Sequence, residues 1–265
     1  MAIKACRLPS LFEVRFVDQS SGCERAHTHS SLIISAVIEG EIVFQINETK
    51  TCLSKWGVVA IGPNVLHSVR SYSPDFSGVY VLDVLGLPAD LGGFNVSHLQ
   101  VFGSQLFRDR ERYRAFINLC KVLLSPIKNP AKIRFYSEWL HSLFVNRFDR
   151  YPSQIDENSE ENRFADKIRA ILDEHNGESP PFEEIAQRFD RSKEHCNRVF
   201  GRAYNLSMQA YFLNNKAARA RDLLGSEDSL SEIALKCGFY DQSHFNRVFK
   251  DIYQISPAKY RKALQ

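Results

Sequence analysis

Between about Val14 and Val84 the apolar residues come in short runs rich in β-branched and aromatic side chains, the pattern of strands. LIISAVI (32–38), EIVFQI (41–46), VVAI (58–61), HSVR (67–70) and VYVLDV (79–84) each have strand length. Glu39-Gly40 reads as a tight hairpin between the first two, and Gly62-Pro63-Asn64 as a second turn. Strands this short and this closely spaced predict an antiparallel barrel or sandwich. After Gly92-Gly93 the period becomes helical. Phe107, Phe116, Ile117, Cys120, Leu123 and Leu124 form one apolar stripe. Beyond a break bounded by Pro126 and Pro130, a second stripe runs through Phe135, Trp139, Leu140, Phe144 and Phe148. Two helices are therefore expected to flank the strands. PSQIDENSEEN (152–162) is polar and acidic, without apolar anchors, as an interdomain linker is. Everything beyond it has helical period.

A chain of 265 residues is long enough for two cores, and the pattern places them at 1–150 and 162–265, joined by a linker at 151–161. With 44% hydrophobic and 25% charged residues the composition is that of an ordinary globular protein. No apolar run approaches the roughly 18 residues of a membrane span, and no signal peptide or lipid anchor is visible, so a cytoplasmic protein without a membrane partner is expected. Cys6, Cys23, Cys52, Cys120, Cys196 and Cys237 are scattered with no C-x-x-C pair, which argues against a zinc ribbon and, in a reducing compartment, against structural disulfides. The net charge of +3 is compatible with nucleic acid but does not establish it.

The helical end repeats itself. Glu184-Ile185-Ala186 recurs as Glu232-Ile233-Ala234 at an offset of 48, and Asn197-Arg198-Val199-Phe200 recurs as Asn246-Arg247-Val248-Phe249 at an offset of 49. Tyr211 recurs as Tyr260, again at 49. The one-residue insertion falls between two helices, where length changes are tolerated. Each copy reads as a short helix, a turn and a second helix, the second capped by Ser192 in one copy and by Asp241, after Gly238, in the other. Cys196, Val199, Phe200 and Ala203 share one face of the first capped helix; Phe245, Val248 and Phe249 share that of the second. The opposite faces carry Lys193, Glu194, Asn197, Arg198 and Arg202, and Gln242, Ser243, His244, Asn246, Arg247 and Lys250. A single helix with such a face is usually only solvated. Two matched faces after two matched turns point instead to DNA, because Arg can bond guanine, Asn and Gln can bond adenine, and Lys neutralises phosphate. Between the copies a run of helix formers, KAARARDLL (216–224), continues a stripe through Tyr211, Phe212, Ala217 and Ala220 and closes at Gly225. A helix of about 18 residues would be roughly 27 Å long, long enough to space two reading helices along one DNA face.

EIALKCGFYDQSHFNRVFKDIYQISPAKYRKAL (232–264) resembles the signature end of the AraC/XylS family of transcription regulators, and KAARARDLL resembles its linker helix. The resemblance covers about the last hundred residues. It implies a seven-helix, all-α double helix-turn-helix with residues 192–204 and 241–253 as recognition helices, a double-stranded DNA target, and RNA polymerase as a partner. It also implies base contacts from Glu194, Asn197 and Arg198 in the first helix and from Gln242, Ser243, His244, Asn246 and Arg247 in the second. Where members of the family usually carry Gly before the last Ser or Pro of each unit, this chain has Asn205 and Gln254.

Family members with this layout carry a cupin-type barrel ahead of the DNA-binding part. His27-Thr28-His29, Glu39-Gly40 and the stretch from Gly57 to Pro63 leading to His67 resemble the two cupin motifs in order. The implied fold is a two-domain α+β chain, a cupin-like antiparallel β-barrel with two flanking helices followed by the all-α domain. Positions 27 and 29 share a strand face, so His27, His29 and His67 can line an effector pocket, hold a metal ion, or bond to backbone. The carboxylate of a cupin site would fall on Ile33 or Ile34, which cannot ligate. No cofactor and no catalytic constellation emerge. The reading is a non-enzymatic regulator, an activator controlled by a small-molecule effector. The alternatives are a metal-binding cupin sensor or enzyme fused to the DNA-binding part, and a regulator without an effector. A homodimer through the apolar helices at 104–148 completes the expectation.

Overall fold

The computed structural model describes residues 3–84, 104–125 and 160–264 apart from short gaps, together with positions 131, 135 and 138. It divides into two compact units whose main-chain boundary falls between Tyr151 and Pro152. The first is built from β1 (Ile3–Leu8), β2 (Phe12–Val17), β3 (Cys23–His27), β4 (Leu32–Val37), β5 (Glu41–Ile46), β6 (Thr49–Ser54), β7 (Gly57–Ile61), β8 (His67–Ser71), β9 (Val79–Val84), β10 (Ser104–Arg108) and α1 (Arg110–Leu123). All five strands expected from the apolar runs are present. β1, β2, β3, β6 and β10 join them.

The strands do not close into the expected barrel. They form two separate sheets, one of six strands in the order β1-β2-β9-β4-β7-β10 and one of four in the order β3-β8-β5-β6. A barrel requires the hydrogen-bond ladder to return to its first strand. Here β1 and β10 are edges of the larger sheet and β3 and β6 edges of the smaller one. The cupin-like barrel is thus corrected to a pair of open antiparallel sheets.

Burial explains the arrangement. Every residue of β4 is buried. Its even positions Leu32, Ile34 and Ala36 pack with Val14, Leu82, Val84 and the α1 residues Tyr113, Phe116 and Cys120. Its odd positions Ile33 and Val37 pack with Ile42, Phe44, Ile46 and Leu53 of the smaller sheet. A strand covered on both faces needs a continuous apolar run rather than alternation, and LIISAV provides one. The unit is layered: helix, large sheet, small sheet. Gly40 turns the β4–β5 hairpin at φ +80°, and a Cβ there would come within 2.6 Å of the Phe76 backbone.

Phe107, read as the start of a helical stripe, lies instead on β10 opposite Val58 of β7. The helix begins later because Asp109 caps it, accepting from the backbone N–H of Glu111 at 2.8 Å and of Arg112 at 3.3 Å. α1 turns Tyr113, Phe116, Ile117, Leu119, Cys120 and Leu123 inward, and the Tyr113 hydroxyl donates to the Val37 carbonyl at 2.8 Å. Of the second expected helix, Trp139, Leu140, Phe144 and Phe148 lie outside the described residues, as do 151–159 of the expected linker.

The second unit contains α2 (Glu160–Glu174), α3 (Phe182–Arg188), α4 (Lys193–Tyr204), α5 (Met208–Leu223), α6 (Leu230–Lys236), α7 (Gln242–Tyr253) and α8 (Pro257–Leu264). These are the seven helices implied by the resemblance. Among the described residues no helix is long and apolar enough to cross a membrane.

Candidate nucleic-acid interface

Each copy of the sequence repeat folds into a turn that launches one outward helix. In the first, α3 ends at Arg188, Asp190 adopts φ +50°, and the Ser192 hydroxyl accepts from His195 N at 3.1 Å to cap α4. In the second, Ser229 and Glu232 form a reciprocal capping box at the start of α6. Gly238 then turns at φ +72°, and the Asp241 carboxylate accepts from His244 N at 2.6 Å to cap α7. Asp190 and Gly238 stand 48 residues apart, at the left-handed position that ends each first helix. Both helix starts fall within a residue of the sequence expectation.

The supports behind the two helices repeat as closely as the helices do. Phe200, Tyr204 and Tyr211 form a triangle of rings with centroids 4.7, 5.3 and 6.2 Å apart. Phe249, Tyr253 and Tyr260, each 49 residues later, form another at 4.5, 5.5 and 6.1 Å. A guanidinium lies over the middle ring in both, Arg169 over Tyr204 at 5.5 Å and Arg221 over Tyr253 at 5.6 Å. The sequence reading missed Tyr204 and Tyr253. The same 49-residue offset would have found them.

The 16-residue α5 stands between the copies and touches both. Ser207 caps it through Ala210 N at 3.1 Å. Tyr211 donates to Asp173 at 2.8 Å and closes the first triangle. Tyr204 makes a matching bond to Asp166. Burial first, then the neighbouring carboxylates, pushes both phenols well above the ordinary tyrosine range, so both stay protonated donors. One turn further along α5, Lys216 is buried, its ammonium donating to the Gly238 carbonyl and lying 4.3 Å from the Phe212 ring centroid. Thus α5 is tied to the turn that aims α7.

Inward and outward faces fall as the periodicity predicts. Cys196, Val199 and Phe200 of α4 and Phe245, Val248 and Phe249 of α7 are buried; Ala203 is half-buried. Lys193, Glu194, Asn197, Arg198 and Arg202 are exposed on α4. On α7, Ser243, Arg247 and Lys250 are exposed and Gln242, His244 and Asn246 half-buried. Their partners differ between the two helices. Lys193 pairs with Glu183 at 2.8 Å and Arg202 with Glu161 at 3.3 Å, while Arg198 lies 3.2 Å from His195 Nδ1. The Lys193–Glu183 hydrogen bond raises the lysine pKa and lowers that of the carboxyl. On α7, Gln242 accepts from the Ser231 hydroxyl at 2.7 Å. Among the described residues no carboxylate makes an ion pair with Arg247 or Lys250. His244 packs against Phe239 at 5.5 Å, and burial, then Arg247 and Lys216, lowers its pKa.

Asn197 has a task inside the protein. Its side-chain oxygen accepts from Met208 N at 3.0 Å, in the first turn of α5. The residue 49 positions after Met208 is Pro257, which has no N–H, so Asn246 cannot repeat this bond. The matched Asn-Arg pair is therefore matched in position but not in use.

Comparison with known proteins agrees with this geometry. A family model described as a helix-turn-helix domain matches residues 185–263. The C-terminal unit thus contains a helix-turn-helix domain over those residues. The chain is 28% identical over 199 residues to the HTH-type transcriptional activator RhaS of Salmonella schwarzengrund, covering 74% of this chain and 69% of that one. It is 25% identical over 161 residues to the Msm operon regulatory protein of Streptococcus mutans, covering 60% of this chain and 58% of that protein. Both relatives are named as regulators. The fold of nearly the whole chain is shared with ToxT from Vibrio cholerae at 13% identity. The TM-score is 0.62 to an apo form, covering 98% of this chain and 100% of that one, and 0.61 to a form with bound unsaturated fatty acid, covering 98% of each.

Ahead of the helix-turn-helix domain lie the three histidines singled out in the sequence. His27 and His67 are buried and His29 is half-buried. His67 Nδ1 is 2.9 Å from the Val65 carbonyl, and burial lowers its pKa. The sequence reading missed the buried charges of the large sheet. Arg15 on β2 pairs with Asp83 on β9 at 2.6 Å, Glu13 lies 3.4 Å from Arg15, and the Ser31 hydroxyl donates to Asp83 at 2.9 Å. FEVRFV and VYVLDV look like ordinary strands; their charges pair only once the register sets Glu13 opposite Asp83.

Proposed function

We propose that this protein is a cytoplasmic transcription activator of the AraC/XylS type that binds double-stranded DNA through α4 and α7 under the control of a small molecule held by its first unit. The observation that carries the reading is the repeated helix-turn-helix, with two matching aromatic triangles placed on one connecting helix. Such a pair suits successive major grooves on one DNA face, whose centres are about 34 Å apart. The residues assigned to DNA are Lys193, Glu194, Arg198 and Arg202 on α4 and Gln242, Ser243, His244, Asn246, Arg247 and Lys250 on α7. Asn197 contributes by holding α5. The name of the RhaS relative, an activator, supports the sign of regulation, with RNA polymerase as the partner.

For the effector, the support is a likeness in fold to ToxT crystallised with an unsaturated fatty acid, together with the buried Glu13, Arg15 and Asp83 in the first unit. Polar groups withdrawn from water in a sheet interior are the kind that orient a ligand. A second copy of the chain is a further partner in this reading. α1 keeps its apolar face for its own sheet, so pairing would use other elements.

Nuclease protection on the DNA upstream of the protein's own gene tests the reading. The expected result is two protected patches about 10 base pairs apart on one face, altered by an effector that also raises the melting temperature. Uniform, sequence-independent protection would overturn it.

A further inference from the structure

Hydrogen bonds locate the one residue by which the two copies of the repeat differ in length. In the first copy three backbone bonds close the end of α3: Phe189 N donates to the Ile185 carbonyl at 3.2 Å, Asp190 N to Gln187 at 3.2 Å and Arg191 N to Ala186 at 3.0 Å. Three matching bonds close α6, each 48 positions later: Cys237 N donates to Ile233 at 3.0 Å, Gly238 N to Leu235 at 3.0 Å and Phe239 N to Ala234 at 2.9 Å. The caps of the outward helices match at 49 instead, Ser192 with His195 N and Asp241 with His244 N. Arg191 therefore corresponds to Phe239, and the residue without a counterpart is Tyr240.

The insertion changes what the turn presents. In the first copy Arg191 is exposed and donates to the Asp190 carbonyl at 2.9 Å. Its counterpart Phe239 is only 1% exposed, its ring centroid 5.2 Å from that of Phe245 and 5.5 Å from that of His244, so it pins the turn to the core. Tyr240 follows, immediately before the cap of α7, and is 75% exposed, the most exposed large hydrophobic side chain among the described residues. A reading helix enters the major groove by its N-terminal end, so the residue ahead of its cap comes to the sugar-phosphate wall of that groove. Tyrosine hydroxyls are among the ordinary donors to phosphate. A cation at position 240 would have the Asp241 carboxylate beside it as a competing partner, whereas a phenol O–H donates without carrying a charge.

We propose that Tyr240 is a DNA-backbone contact peculiar to the second reading helix, its hydroxyl donating to a phosphate and its ring lying against the adjoining sugar. The proposal rests on the DNA-binding reading of α7 and adds a residue to it. The second helix then holds the backbone partly through a contact that neutralises no charge, where the corresponding turn of the first copy presents Arg191.

Binding of the full-length protein to the duplex upstream of its own gene, and to an unrelated duplex of equal length, tests it over a range of salt. Tyr240→Phe, Tyr240→Ala and Arg247→Ala are compared with the parent. Tyr240→Phe should weaken binding to both duplexes by the same factor, about 10-fold, as losing a hydrogen bond to a charged group does, and Tyr240→Ala by more. The salt slope of both should equal the parent's, because tyrosine releases no counterion. Their melting temperatures should also equal the parent's, since the side chain lies outside the core, so weaker binding is not read from unfolded protein. Parental affinity in Tyr240→Ala beside weakened Arg247→Ala would overturn the proposal and leave the DNA-binding reading standing. Parental affinity in all three variants would overturn both. A loss confined to the upstream duplex would show a base contact instead of a backbone one, and unchanged DNA binding with lost activation would set Tyr240 against a protein; either result overturns the proposal.

Discussion

Asn197 and Asn246 occupy equivalent places in the repeat, yet only Asn197 holds the start of α5, through Met208 N at 3.0 Å. Pro257 denies Asn246 the same bond. Asn197→Ala should therefore cost roughly 1 kcal/mol of stability, as losing a cap-like hydrogen bond does, and leave base discrimination largely intact. Asn246→Ala should do the reverse, keeping the melting temperature while reducing preference among operator variants. Thermal melts and competition binding on the two variants separate these outcomes. Which residues face outward was legible from helical period alone. What they bond to was not, because Glu161 and Glu183 approach Arg202 and Lys193 from other helices, 41 and 10 positions away.

At the level of elements, the outward helices owe their placement to the aromatic triangles. Phe200 and Phe249 are fully buried at the apex of each. Phe200→Ala and Phe249→Ala should each cost about 3–5 kcal/mol by removing a large core side chain. Chemical denaturation should show two costs of similar size, since the two triangles have nearly equal ring spacings; a small effect at either site would show that its triangle is not a support. Strand and helix positions were largely readable because period and turn residues are local. The closure of the sheets was not. LIISAVI fits a barrel stave as well as a central strand covered on both faces, and only pairing decides which. Phe107 fits a helical stripe and a strand equally, until Asp109 caps the helix behind it.

For the molecule as a whole, the two units carry different kinds of information. The second announces its chemistry in sequence because recognition of DNA uses exposed side chains on regular helices, repeated once. The first does not, because Glu13, Arg15 and Asp83 gain meaning only from strand register. The two outward helices are also unequal. Three outward cations of α4 lie beside Glu183 of α3, Glu161 of α2 and His195 of α4 itself, while Arg247 and Lys250 of α7 make no ion pair among the described residues. Phosphate must compete with carboxylate for the first helix but not for the second. The measurement that tests this account most directly is the affinity of Arg198→Ala and Arg247→Ala proteins for the DNA upstream of the protein's own gene, across a range of salt. Both should bind more weakly than the parent, Arg247→Ala by about 10-fold or more, with a salt slope reduced by about 1 if the lost contact is to phosphate. Binding by both variants as tight as the parent's at moderate salt would contradict the assignment of α4 and α7 to DNA.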